Sequence, residues 1–276
     1  MDYMSKKKKI LLTSISIFVA LLHLVPFYIL VTTALKPVGD FSSKWVFPTD
    51  IRWENFSEAW TEASLGTALI NTTVITVLSA LLLIVFGSMA AYPLARRQTK
   101  LNKFVYMLFV AVMVIPPLTA LVPLYQLVVN LGMLNTLDIA ILNNAAAFLP
   151  LTIFLYVGFI RSTIPKELEE AARIDGASTI VIFFRIVFPL LKPVTASVLI
   201  IASVFIWNDY QFAIFFLQAE AVQTMTVALS GFFGESANRM NLVAAASILA
   251  MLPMTVLFLL LQKHFVKGLA SGSVKG

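Results

Sequence analysis

Apolar residues in this chain gather into six long runs, at roughly Ile10–Ala34, Thr67–Ala95, Phe104–Val129, Ile139–Ile160, Val194–Leu217 and Leu242–Phe265. About 20 apolar residues in a helix cross a hydrocarbon core of ~30 Å. A helix also satisfies its own backbone hydrogen bonds, as lipid demands. The pattern therefore predicts an all-α polytopic membrane protein with six transmembrane helices, forming a single transmembrane domain over residues 1–276. Lys6, Lys7, Lys8 and Lys9 ahead of the first run look like the basic start of a secretory signal. The apolar stretch behind them exceeds the usual 7–15-residue signal core, so it reads as an uncleaved anchor.

The polar stretches between the runs alternate in charge, which sets orientation, because lysine and arginine accumulate on the cytoplasmic side. Of the 20 basic residues, only Lys36, Lys44, Arg52 and Arg239 fall on the other side. The rest precede the first run, follow the second (Arg96, Arg97, Lys100, Lys103), follow the fourth (Arg161, Lys166, Arg173, Arg185, Lys192) or end the chain (Lys263, Lys267, Lys275). Both termini are thereby predicted to be cytoplasmic. The outer stretches are acidic, with Asp40, Asp50, Glu54, Glu58, Glu62, Asp138, Glu220 and Glu235.

Two features suggest more than a passive anchor. The outer stretch from Leu35 to Gly66 interleaves Trp45, Phe47, Trp53, Phe56 and Trp60 with charges. It reads either as an interfacial aromatic belt or as an amphipathic helix over Asn55–Ala63 that helps receive a delivery protein. Prolines stand inside several runs, and each removes a backbone bond and kinks a helix. Pro116-Pro117 with Pro123 marks the third run as the broken one.

Composition agrees with this picture and removes other classes. Hydrophobic residues make up 59% of the 276 positions and charged residues 12%, about half the charged share of a soluble domain. No cysteine is present, and the two histidines, His23 and His264, stand near opposite ends. A thiol nucleophile is excluded and a histidine metal cluster is not expected. The net charge of +6 follows from membrane orientation, so no nucleic-acid partner is implied.

Polar, helix-forming residues interrupt the apolar pattern most sharply between the fourth and fifth runs, over residues 161–190. Ser162 or Thr163 can cap a helix there, Pro165 suits its first turn, and Glu167, Glu169 and Glu170 favour its positive end. Gly176 can end it in the left-handed conformation. Ser178 can cap a second helix running through Phe184 to Phe188 and stopping before Pro189. Ala171 and Ala172 leave a flat face that another backbone can approach.

The sequence Glu170-Ala171-Ala172-x-x-Asp175-Gly176, with Ile186-x-Phe188-Pro189 after a nine-residue gap, resembles the docking loop of permeases in bacterial ATP-driven importers. The likeness extends along the chain, through Lys36-Pro37, Asn71-Thr72, Ala91-Tyr92, Ala95-Arg96, Pro123-Leu124-Tyr125, Gly132-x-Leu134-Asn135-Thr136, Trp207-Asn208-Asp209 and the tail Gly268-Leu269 to Val274-Lys275-Gly276. The chain is similar to the MalG-type permease subunits of carbohydrate importers in the ATP-binding-cassette superfamily. Phe188 stands where that family usually has leucine. The resemblance implies a type I importer permease fold in the bacterial cytoplasmic membrane. It implies a MalF-type partner permease, two ATPase subunits, an extracytoplasmic solute-binding protein and a di- or oligosaccharide cargo. The ATPase-coupling residues would be Glu170, Ala171, Ala172, Asp175, Gly176, Ile186 and Pro189. The chain holds no G-x-x-x-x-G-K-[ST] phosphate loop, so ATP and magnesium are expected on the ATPase subunits, with no cofactor and no catalytic residue here.

An ionisable side chain within an apolar run is a functional candidate by default. Asp209 lies in Trp207-Asn208-Asp209-Tyr210 of the fifth run. A continuous helix from Val194 would raise it ~22 Å, into the outer half of the core. These four residues could line a substrate path, with amide and carboxylate for hydroxyls and rings for sugar faces, or Asp209 could pair with a neighbouring helix. Asn143 and Asn144 are weaker candidates and more often act as interhelical hydrogen-bond partners. A secondary transporter or channel using Asp209 as an ion or proton relay is the alternative, but no inverted repeat supports it. A membrane hydrolase has no G-x-S-x-G or H-E-x-x-H arrangement to stand on.

Overall fold

Every regular element among the described residues is helical. The computed structural model describes residues 6–40, 42–235 and 239–273, without the side chains of 235 and 263–273. The Val274-Lys275-Gly276 end of the tail motif lies outside the described residues. Among the described residues four helices are long and apolar enough to cross a membrane: α1 (Lys6–Ala34), α3 (Leu65–Arg96), α6 (Leu137–Thr163) and the Met240–Gln262 part of the last helix. Two further pairs are bent, α4 (Lys100–Val112) with Pro117–Asn130 by 94°, and Thr179–Leu190 with Lys192–Trp207 by 70°. Counting each bent pair as one span gives six.

The chain divides into two compact units. The first comprises residues up to Gly66 with Ala228–Met251. Its outer segment is tied down by polar groups. Asn55 Nδ2 donates to the carbonyls of Ala34 (2.7 Å) and Lys36 (2.8 Å), and Asn241 Nδ2 donates to Asn55 Oδ1 (3.0 Å). Lys36, 4% exposed, donates to Ser42 Oγ and to the Ser43 carbonyl (3.0 Å), with Asp40 at 3.6 Å. The hydroxyl and N–H of Ser42, then Lys36, hold the Asp40 carboxyl below its ordinary range. Helix α2 spans Glu54–Glu62, within a residue of the predicted Asn55–Ala63, while Trp45 and Trp53 remain exposed.

The second unit comprises Thr67–Val227 and the residues from Leu252 on. The break after α4 lies where the prolines predicted it. Pro116 is extended (φ −63°, ψ 127°), as expected for a residue preceding another proline. The amides of Met113, Val114 and Ile115 tighten onto carbonyls three residues back. A short 3₁₀ turn (Pro117–Ala120) then leads into α5 (Leu121–Asn130), whose first turn accommodates Pro123. By contrast, Pro150 sits inside the continuous α6.

Residues of the family resemblance act as fasteners between segments distant in the chain. Asn71 Nδ2 donates to the carbonyls of Ala221 and Gln223 (both 3.0 Å), and Thr72 Oγ1 accepts the Met225 amide (2.8 Å). Asn135, at φ +58°, accepts the amides of Gln218 (2.7 Å) and Ala219 (2.9 Å) on its side-chain oxygen. Two apolar clusters fill this unit. One, around Ile153, Tyr156, Ile160, Ile182 and Leu191, contains the end of α3 and the loop after α6. The other is built on Ile75, Ile139, Ile206 and Phe216.

Candidate coupling and translocation sites

The segment after α6 folds as a helix-turn-helix. Ser162 and Thr163 are not its caps, because α6 runs on through Thr163. Helix α7 (Lys166–Ile174) starts instead from Pro165, whose extended backbone (φ −61°, ψ 139°) breaks the path from Ile164. No side chain caps this start, and Glu167 and Glu169 occupy the first turn. The end is as predicted: Gly176 takes φ +83°. Its amide bonds to the Arg173 carbonyl (3.0 Å), and that of Ala177 bonds to the Ala172 carbonyl (2.9 Å), a Schellman closure that only glycine enters without strain.

Ser178 then caps α8 (Thr179–Ile182) by accepting the Val181 amide (3.4 Å). The second helix does not stop before Pro189. It widens into a π turn (Phe183–Val187) and continues as α9 (Phe188–Leu190). Proline has no N–H to give and crowds the carbonyl four residues back. The wider turn, in which the Phe188 amide reaches Phe183, makes room for it. Leu191, fully buried, marks the 70° corner into α10 (Lys192–Trp207).

The faces of α7 differ sharply. Glu170, Ala171, Asp175 and Gly176 are exposed, Ala172 is half-buried, and Ile174 is 87% exposed. In the second helix Pro189 is exposed while Ile186 and Phe188 are half-buried, with Phe188 packed on Phe183 at 5.9 Å between ring centres. The inward face holds a residue that sequence reasoning had used only for its helix-end charge. Glu169 is 2% exposed and accepts from Tyr92 Oη (2.7 Å) and Arg96 Nε (2.7 Å). Arg96 also donates to the Ile164 carbonyl (2.7 Å). Removing one partner of such a buried pair typically costs about 3–5 kcal/mol. Tyr92 and Arg96 belong to the quoted motifs, but 73 residues or more separate them from Glu169, and nothing in the spacing joins them.

The predicted substrate-path residues do not all share one place. Helix α10 ends at Trp207, short of Leu217. Its 16 residues rise about 24 Å, and Asn208 and Asp209 follow in an irregular turn. Asp209 Oδ1 accepts the Phe212 amide (3.1 Å) and Thr226 Oγ1 donates to the Asp209 carbonyl (2.7 Å). The ~22 Å of continuous helix assumed for Asp209 is thus replaced by a break just past the helix end. Trp207, 4% exposed, is buried and is not part of the cavity lining that its three neighbours share.

Asn208, Asp209 and Tyr210 do line one, a cavity of about 490 Å³ that also takes in Asn143 and Asn144 from α6. Phe148 and Phe205, 5.9 Å apart, form an aromatic wall. Asn144 donates back to the Ala140 carbonyl (2.9 Å), and Asn208 donates to the Val204 carbonyl (2.8 Å). Among the described residues no basic side chain pairs with Asp209. Amide and carboxylate oxygens beside rings in one partly apolar space suit a polyhydroxylated solute with a carbon-rich face.

The family model for the binding-protein-dependent transport system inner membrane component matches residues 83–271. The chain belongs to that family: it is a non-catalytic permease subunit of an ATP-binding-cassette importer, multi-pass in the inner membrane. Such a subunit works with a partner permease, an ATPase and a solute-binding protein. The chain is 66% identical over 266 residues to the melibiose/raffinose/stachyose import permease protein MelC of Bacillus subtilis (strain 168), with 96% of each chain covered. It is 32% identical to the multiple sugar-binding transport system permease protein MsmG of Streptococcus mutans serotype c (strain ATCC 700610 / UA159), covering 92% of this chain and 93% of that one. A crystal structure of a bacterial ABC transporter involved in the import of the acidic polysaccharide alginate matches with a TM-score of 0.79 at 20% identity. It covers 96% of this chain and 100% of that one. The fold is therefore that of a type I importer permease.

Proposed function

We propose that this chain is one of two permease halves that carry a di- or oligosaccharide inward, driven by two ATPase subunits that bind ATP and magnesium and dock on residues 161–190. The observation that carries this reading is the outward face of α7. Ile174 is 87% exposed on a short charged helix, the highest exposure of any large hydrophobic side chain among the described residues. Nothing in the second unit's described residues covers it, and Glu170 lies one turn away on the same side. A cleft on a partner that takes an isoleucine and pairs a carboxylate would fit this face. Ala171 and Ala172 would permit close backbone approach, and Asp175 with Gly176 would keep the following turn tight. Ile186 and Pro189 would fix the second helix behind it.

The cavity of Asn143, Asn144, Asn208, Asp209 and Tyr210 is the proposed contribution to the sugar path, with the solute arriving from an extracytoplasmic binding protein. The relative named for melibiose, raffinose and stachyose makes these sugars the first to test. The experiment is reconstitution of the complete complex in liposomes, with ATP hydrolysis and uptake measured against binding protein loaded with each of a panel of mono- and oligosaccharides. Stimulation by at least one di- or oligosaccharide supports the assignment. Equal rates with loaded and empty binding protein across the panel would remove it.

A further inference from the structure

Docking explains Glu170 and leaves its neighbour unused. Adjacent helical residues point about 100° apart, and Glu169 faces protein where Glu170 faces out. Its two oxygens accept from Tyr92 and Arg96, both on the last turns of α3. The fork of Arg96 reaches further, giving its Nη2 hydrogen to Ile164, the residue that joins α6 to Pro165 and α7. One side chain at the end of α3 thus holds both sides of the joint on which α7 would otherwise swivel. The end of α3 is itself secured, since Arg161 donates to the Leu94 carbonyl (2.9 Å) and Asn102 to those of Pro93 (3.1 Å) and Arg97 (3.0 Å).

We propose that Tyr92, Arg96 and Glu169 form a latch that passes movement of the docked α7 directly into α3, and that the latch stays closed throughout the transport cycle. This inference rests on the docking reading of residues 161–190. A helix attached only through Ile164-Pro165 and the Gly176 turn would rotate under load, and work done on it would be lost in the joint. Two charge-assisted bonds on a carboxylate 2% exposed prevent that rotation, since charged donors hold geometry more firmly than neutral ones. Opening would leave the Glu169 carboxylate with only its longer contact to half-exposed Arg173 (3.5 Å) and would part the buried Arg96 guanidinium from its counter-charge. All three are positioning residues. They act on α3 through α7 and touch no solute.

The test uses the assembled complex in liposomes, with radiolabelled melibiose as probe and two readings: ATPase retained on purification, and melibiose moved per ATP hydrolysed. In Glu169→Gln the ATPase should stay bound while melibiose per ATP falls about tenfold, within the range of ordinary coupling energies. Tyr92→Phe keeps the ion pair and the fold, and should show a smaller loss in the same direction. The chain has no cysteine, so Tyr92→Cys with Glu169→Cys can be joined by a short thiol cross-linker. The joined chain should regain coupling that the unjoined one lacks. Wild-type yield per ATP in Glu169→Gln overturns the latch. So does a cross-linked chain that cannot transport, because the contact must then open. Loss of the ATPase from Glu169→Gln would place Glu169 in the docking surface and would also overturn it. The docking reading itself fails separately, if the ATPase stays bound when Glu170 and Ile174 are both reversed in character.

Discussion

At Gly176 the backbone takes φ +83° with open space where a Cβ would stand. The cost of replacing it is therefore conformational alone. Gly176→Val should destabilise the turn by about 1–3 kcal/mol and weaken ATPase retention, while Gly176→Asn, which tolerates the left-handed region, should retain most of it. Pull-down of the ATPase with both variants measures the difference. Asp209 invites a similar separation of roles. Its Oδ1 holds the Phe212 amide, and an asparagine oxygen can do the same. Asp209→Asn should leave thermal stability unchanged and lower sugar uptake several-fold. Unchanged uptake would reduce the carboxylate to a cap, and Asn208→Ala with Asp209→Ala should lower uptake further while the ATPase stays bound. The neighbours Glu169 and Glu170 show where residue-level reading stops. Both are acidic residues early in a helix, and only the chain around them makes one a buried ion-pair partner and the other a surface group.

Between elements, α3 and α6 approach closely at Gly87, where an added Cβ would fall 2.4 Å from Thr152 Cγ2. Thr152 cannot turn away freely, because its hydroxyl bonds to the Phe148 carbonyl (2.8 Å). Gly87→Ala should cost about 1–3 kcal/mol by overpacking. Thr152→Ser removes the offending methyl and leaves Cβ at 3.4 Å, so the double variant should recover most of the loss. A thermal-shift double-mutant cycle in detergent reads this coupling. Helix punctuation was legible wherever it depended on local backbone chemistry. Pro116-Pro117 broke the third run, Gly176 ended α7, and Ser178 began α8. It failed at Ser162 and Thr163, which continue α6, and at Pro189, which a π turn accommodates. In those places burial of Ile160, Ile164, Ile182 and Val187 in one cluster outweighed the local preference.

For the molecule as a whole, the docking face predicts a clean separation of assembly from insertion. Glu170→Arg with Ile174→Glu should reach the membrane at wild-type level and lose the ATPase on purification. Retention of the ATPase in that variant would refute the assignment. The sequence by itself determined that the chain is helical and crosses a membrane, predicted which way round it sits, and singled out the loop over residues 161–190. Those properties follow from local hydropathy, from the charge of short loops and from glycine and proline geometry, none of which needs a partner distant in the chain. Tertiary structure decided which polar residues meet. It drew Asn143 and Asn144 to the cavity of Asp209, turned Trp207 into the core, ended α10 before Asp209, and closed Tyr92 and Arg96 on Glu169. Each of these results depends on how helices far apart in sequence bury their apolar faces together, and hydropathy along one helix does not say which face its neighbour will cover.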